Sequence, residues 1–291
     1  MDIEVFDERI CILGESPFAF GEKNSEVSWV DIVGSRVLIR DLITGESQDF
    51  STNENVGFAL RRENGGYILG TNSGPILKNL DGTLQPLFSL SDVDPQAKIQ
   101  SVRWNEASIS PSGSLFLGTM AYSELEGTST LFRYSPKSHE LVVLLKDLTI
   151  SNGMDWNDDG TIFYFIDSNW QAVRSFSVSE DGISMGENVI EIAPEDGAPD
   201  GMCMDSEGGI WVVLWGGSEI RRYDSNNNYQ LSERIKLPAK FVTSCAFAGE
   251  NLDTLIITSA TDGHTGLTAE SGMTFCLVPG VKGRLSRPFP G

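Results

Sequence analysis

The chain has 291 residues and carries 21 Lys and Arg against 41 Asp and Glu, a formal charge of −20. A surface that acidic repels phosphate backbones and anionic lipid, so neither nucleic acid nor a membrane is expected as a partner. Hydrophobic residues make up 40%, enough for a sizeable core and against wholesale disorder.

The N-terminus, "MDIEVFDERICILGE" (1–15), lacks a basic segment followed by an uninterrupted apolar stretch, so no signal peptide is expected. No apolar run approaches the roughly 20 residues that cross a bilayer. A soluble, cytoplasmic protein is the expectation. Cys11, Cys203, Cys245 and Cys276 are widely spaced in apolar surroundings. That pattern reads as buried free thiols rather than a disulfide framework or a zinc site.

Along the chain, helical periodicity is nearly absent. Short runs rich in Val, Ile, Phe, Tyr and Trp alternate with clusters of Gly, Asp, Asn and Ser, the pattern of many short strands. One unit recurs, a polar turn ending in Gly and then a strand. It is loosest in "SEVSWVDIVGSRVLIRD" (25–41) and clear in "RENGGYILGTNSG" (62–74), "SPSGSLFLGTM" (110–120), "NDDGTIFYFIDS" (157–168) and "DSEGGIWVVLWGG" (205–217). It returns with a slightly longer turn in "AGENLDTLIITSA" (248–260). Gly66, Gly113, Gly160 and Gly208 lie about 47 residues apart, a spacing of blades or solenoid repeats. Further strands follow each unit, such as "STLFRYSP" and "ELVVLL". Six units of three or four antiparallel strands predict an all-β, six-bladed β-propeller with four-stranded blades. "DIEVF" (2–6) is expected to close the last blade, and residues 1–291 read as one domain.

In such a ring the start of each inner strand faces the mouth of the central channel. Counting back eight residues from the turn glycines gives Phe58, Asn105, Asn152 and Asp200. The last two stand in the same form, "NGMDW" and "DGMCM". One Asx-Gly step is an ordinary turn, but two in identical register aim both side chains at one point. A competing motif overlaps the first: Asp155, Asn157, Asp159 and Gly160 fit the opening half of an EF-hand loop. The twelfth position, where that loop needs a bidentate Glu, is Ile166, and "TIFYFID" is a strand. The Asp-rich piece therefore reads as a solvated hairpin turn. Both histidines, His139 and His264, read as exposed loop residues, with His264 an outside candidate for the pocket. There is no G-x-S-x-G elbow, P-loop or G-x-G-x-x-G motif.

A set of motifs spread over almost the whole chain is more specific. They are "LGESP" (13–17), "WVDI" (29–32), "RWN" (103–105), "GTM" (118–120), "SNGMDW" (151–156), "PDGMCMD" (199–205), "VTSCAFAGENLDTLIITSA" (242–260) and "PGVKG" (279–283). In this order they resemble the senescence marker protein, gluconolactonase and luciferin-regenerating enzyme family of six-bladed propellers. The resemblance implies one divalent cation held by Glu15, Asn152 and Asp200, with Arg103 and Asn105 contacting substrate. Two carboxylates and an amide oxygen suit a hard cation, Ca²⁺ first, with Mg²⁺, Mn²⁺ or Zn²⁺ as alternatives. The implied reaction is hydrolysis of a sugar-acid lactone, a small-molecule substrate, with Asp200 as ligand and general base.

The chain departs from the family at Phe18, where Trp is common. It reads "NEA" (105–107) for "NDG", and it carries Tyr122 and Ser123 where some members have an acidic residue. Tyr122 and Ser123 fall in the expected substrate pocket and bear on substrate identity. Two other readings stand beside the lactonase. One is a phosphotriesterase-like hydrolase on the same site, mildly favoured by Phe58. The other is a non-catalytic calcium-binding propeller, against which the retained ligand set and Arg103 speak.

Overall fold

A computed structural model of the protein describes residues 2–93, 101–179, 182–261 and 265–291; His264 lies outside the described residues. Strand β1 (Glu4–Asp7) stands apart from the first blade, which is formed by β2 (Gly14–Phe20), β3 (Glu26–Asp31), β4 (Arg36–Asp41) and β5 (Ser47–Ser51). The second comprises β6 (Val56–Arg61), β7 (Tyr67–Thr71), β8 (Gly74–Lys78) and β9 (Leu84–Pro86), followed by one helical turn, α1 (Leu90–Val93). The third is β10 (Val102–Ile109), β11 (Leu115–Ala121), β12 (Ser129–Ser135) and β13 (Glu140–Leu148). The fourth is β14 (Ser151–Trp156), β15 (Ile162–Asp167), β16 (Ala172–Ser179) and β18 (Glu187–Glu191), with a two-residue strand, β17 (Gly182–Ile183), added beside β16.

The fifth blade is β19 (Ala198–Met204), β20 (Gly209–Trp215), β21 (Glu219–Asp224) and β22 (Gln230–Lys236). The sixth runs β23 (Val242–Ala248), β24 (Thr254–Ser259) and β25 (Thr274–Leu277), and β1 supplies its outer strand by pairing with β25. The six-bladed propeller and its closing strand thus agree with the sequence. The fourth blade differs by its extra strand, and among the described residues α1 and three short 3₁₀ turns differ from the expected absence of helix.

The recurring turn has a specific cause. The amide N–H groups of Gly65, Gly113, Gly160 and Gly208 donate to the carbonyls three residues back, on Arg62, Ser110, Asn157 and Asp205. All four glycines have φ between 71° and 86°. That left-handed step after a tight turn lets the chain return along the strand it has just left. The faces of neighbouring blades then bury their apolar residues against each other. Trp104 packs with Phe18, Phe58 and Phe132, while Trp156 packs with Phe116 and Phe163.

The inner strands also approach closely. A Cβ on Gly57 would lie 2.2 Å from the Trp104 carbonyl oxygen, and one on Gly201 would lie 2.6 Å from Ser244 Cα. Glycine at these positions lets β6 reach β10 and β19 reach β23. The C-terminal residues 284–287 line the far end of the channel, where Arg284 pairs with Asp155 at 3.0 Å and Asp158 at 2.9 Å.

Candidate metal and substrate site at the channel mouth

All six inner strands break register at the same level. One extra residue enters between Glu15 and Phe18, Val56 and Ala59, Trp104 and Ala107, Ser151 and Met154, Pro199 and Met202, and Val242 and Cys245. A β-bulge re-aims a side chain out of the strict alternation of the strand, and six together make a ring of re-aimed residues. Asn105, Asn152 and Asp200 each open one of the bulged pairs. The Asx-Gly step seen in the sequence is therefore a bulge and not a loop turn. A Cβ on Gly153 would lie 2.7 Å from Met202 N and 2.8 Å from Asp200 O, so glycine follows Asn152 because the next blade is in contact there.

Phe58 is a correction. Its ring is buried against Gly70, whose Cβ would lie 2.3 Å from it, and belongs to the core between blades. The bulge residue that corresponds to Asn105 is Gly57. The sequence count began from Gly66, but the glycine that closes the turn is Gly65. The aromatic that mildly favoured organophosphates is therefore not on the ring.

Glu15 immediately precedes the bulge of β2. The next residue, Ser16, is buried and has φ of 50°. A buried serine in the left-handed region is strained backbone, and its N–H donates to Glu15 Oε2 at 3.2 Å. Glu15, Asn152 and Asp200 are 7%, 5% and 7% exposed. Burial pushes the Glu15 carboxyl well above the usual carboxylate range, with the Asp200 and Glu106 charges adding to it. Burial and the Glu106 charge push Asp200 up as well, while Arg103 opposes the rise at both. Glu106, the second residue of the β10 bulge, is lifted by burial to about 7. Carboxylates crowded into a sparsely solvated space repel one another unless a proton or a cation is present.

The amides are held by a chain of hydrogen bonds. Ser168 Oγ donates to the Pro199 carbonyl at 2.6 Å, so it must accept at 2.7 Å from Asn152 Nδ2. That fixes which end of the Asn152 amide is nitrogen and turns Oδ1 the other way, where it accepts from Asn105 Nδ2 at 2.7 Å. Asn105 Nδ2 also donates to Ser151 O at 2.8 Å, and Asn105 Oδ1 accepts from Arg103 at 2.5 Å. Both amide hydrogens of Asn105 are committed, so it can meet a further group only as an acceptor. Among the described residues no three His, Cys, Asp or Glu side chains gather to hold an ion by themselves. A three-ligand centre here needs the oriented oxygen of Asn152. The donor set, two buried carboxylates and one pre-aimed amide oxygen, fits a hard divalent cation.

The remaining sequence candidates divide. Tyr122 and Ser123 follow β11 at the rim and are exposed. The Tyr122 ring centre lies 5.8 Å from the Arg103 guanidinium, and Ser123 is the exposed residue next to it in the chain. Asp159 accepts from Thr161 in the expected hairpin turn, but Asp155 lies on β14 and its Oδ2 accepts from Met204 N at 2.9 Å. His139 sits in a loop, 3.0 Å from Tyr134 OH through Nδ1. All four cysteines are free, but only Cys11 and Cys245 are fully buried. Sequence reasoning missed Ser168 and did not list Glu106 as a site residue. Glu106 was available as the second member of a bulge; nothing local marks Ser168, which the fold brings to Asn152 from the far end of β15.

The sequence and the fold both match known proteins. The sequence matches the SMP-30/Gluconolactonase/LRE-like region over residues 13–261. It is 32% identical to regucalcin of Danio rerio over 283 residues, covering 93% of this chain and 92% of that one. It is 31% identical over 268 residues to the putative sugar lactone lactonase YvrE of Bacillus subtilis (strain 168), covering 91% and 89%. Among solved structures, regucalcin from Agrobacterium tumefaciens strain C58, described as a calcium-binding protein, superposes with a TM-score of 0.89 at 25% identity, covering 99% and 97%. A luciferin-regenerating enzyme superposes with a TM-score of 0.91 at 22% identity, covering 100% and 99%. This chain belongs to the SMP-30/gluconolactonase/LRE-like family.

Proposed function

We propose that the protein is a divalent-metal-dependent lactonase that opens a sugar-acid lactone to its hydroxy acid. The observation that carries this reading is the orientation of Asn152. Its oxygen is fixed by Ser168 toward a channel mouth that also holds the buried carboxylates of Glu15 and Asp200. Family membership and the sugar-lactone relative support it. Glu15, Asn152 and Asp200 would hold the cation, which would polarise the lactone carbonyl and offset the charge that develops on it.

Asp200 is the group that takes the proton from the attacking water. It is a carboxylate, whereas Asn152 has no basic site. Asn105 accepts a hydrogen bond from a substrate hydroxyl through Oδ1, since its hydrogens are spent. Arg103 stands between Asn105 and Tyr122 and orients the ring substituents. Ca²⁺ is the cation first expected from this oxygen-only donor set.

The test is a panel of aldonolactones followed with a pH indicator, using protein stripped by chelator and then reloaded with Ca²⁺, Mg²⁺, Mn²⁺ or Zn²⁺. Hydrolysis should vanish on stripping and return on reloading. Turnover that survives full stripping, or no turnover of any lactone with any ion, would overturn the reading.

A further inference from the structure

The Tyr122 hydroxyl is held from a neighbouring blade. Asn55 Nδ2 donates to it at 2.8 Å, and the amide nitrogen and oxygen of Asn72 lie 3.0 and 3.1 Å from it. Asn55 directly precedes β6, and Asn72 follows β7, so both amides come from the rim of the second blade while Tyr122 belongs to the third. Asn55 is itself held, because Ser35 Oγ donates to its Oδ1 at 3.1 Å. A phenol hydroxyl offers one donor and two acceptor sites, and two amides occupy most of that capacity. The hydroxyl is thus poorly placed to serve a ligand, yet the residue remains 42% exposed. What it presents is the ring.

The position of that ring is informative. From the Asn152 oxygen the contacts run outward through Asn105 at 2.7 Å, Arg103 at 2.5 Å and the Tyr122 ring at 5.8 Å. A molecule whose reacting carbonyl sits beside Asn152 must extend past two side chains before it meets Tyr122. A bare five-membered lactone is too short. A sugar-acid lactone with carbons beyond the ring, or with a second ring, is long enough. Its C–H faces are the surface that packs on an aromatic plate, while its hydroxyls meet Arg103 and Asn105.

We propose that Tyr122 is a stacking platform for the distal part of an extended sugar-acid lactone, and that Asn55 and Asn72 are positioning residues that hold the ring in place. This inference rests on the lactonase reading above and narrows its substrate class. A free tyrosine on a rim loop loses rotamer freedom when it engages a ligand. One already clamped by two amides from another blade has lost that freedom on folding.

The test compares kcat and KM of the metal-loaded protein for a six-carbon aldonolactone and for unsubstituted γ-butyrolactone. Tyr122→Ala should raise KM for the aldonolactone about three- to tenfold, the scale of one aromatic contact, with kcat little changed. The ratio of kcat/KM values, aldonolactone over butyrolactone, should fall by the same factor. Asn55→Ala combined with Asn72→Ala should lower that ratio by a smaller amount. Adding Tyr122→Phe to that pair should lower it no further, because the hydroxyl then has nothing to bond. A merely structural role would depress both substrates together. An unchanged ratio in Tyr122→Ala, or equal losses on both lactones, would overturn the platform while leaving the lactonase reading intact. Failure of the wild-type protein to hydrolyse either lactone would overturn both.

Discussion

Replacing Ser168 by Ala removes one hydroxyl that is not itself a proposed cation ligand, yet it should weaken cation binding. The hydroxyl accepts from Asn152 Nδ2 at 2.7 Å and donates to the Pro199 carbonyl at 2.6 Å. Pro199 precedes Asp200, so one oxygen supports two of the three proposed ligands. In the variant the Asn152 amide, in a side chain only 5% exposed, loses the acceptor for its nitrogen. A buried donor left unpaired costs about 1–3 kcal/mol.

The amide can escape that cost only by turning its nitrogen elsewhere, which removes the oxygen from the channel. Turning back to meet a cation would then leave the nitrogen unpaired again, so the cost falls on cation binding. A difference of that size corresponds to about a 5- to 150-fold loss of affinity, and loss of a supporting residue of this kind typically costs about 10- to 100-fold. Calorimetric titration of Ca²⁺ and Mn²⁺ into stripped wild-type and Ser168→Ala protein reads the effect directly. A circular-dichroism spectrum confirms that the blades remain. Wild-type affinity in a folded Ser168→Ala protein would refute the claim that Ser168 orients a ligating Asn152.

Asp200→Asn and Asn152→Asp separate base from ligand. With cation saturating in both, Asp200→Asn should lose most of kcat and Asn152→Asp should keep more, measured as lactone turnover; full recovery of Asp200→Asn by added cation would place the base elsewhere. Stability should also depend on pH in a stated direction. Glu15, Asp200 and Glu106 titrate higher in the folded chain than in the unfolded one, Glu106 at about 7. The native state then holds more protons, so stability falls as pH rises from about 4.5 through 7. The melting temperature of stripped protein should drop by several degrees between pH 5 and pH 8, and Ca²⁺ should restore most of it at pH 8. A stripped protein that grows more stable over that range would contradict the crowding of carboxyls at the mouth.

The six-bladed ring was legible because each blade repeats a turn whose glycine must take a positive φ, and that requirement leaves a mark at fixed spacing. Asn105, Asn152 and Asp200 were legible for the same reason, each standing eight residues before its turn glycine. The count failed at Phe58 because Gly65 and Gly66 are adjacent and only geometry shows which closes the turn. Glu15 was reached through family resemblance, since Asn24 and not a glycine closes the turn after its strand, and a count of eight from there falls on Ser16. Ser168 was invisible because its meeting with Asn152 and Pro199 spans three strands and leaves no local pattern. The clamp on Tyr122 was hidden likewise, its amides lying 67 and 50 residues away in sequence.

The location of a bound cation decides most directly whether the channel mouth is the working site. Crystals grown from stripped protein and soaked in Mn²⁺ should give one strong anomalous peak within bonding distance of Glu15, Asn152 Oδ1 and Asp200. A peak at the Asp-rich turn of residues 155–160 with none in the channel, or no ordered ion at saturating Mn²⁺, would contradict it.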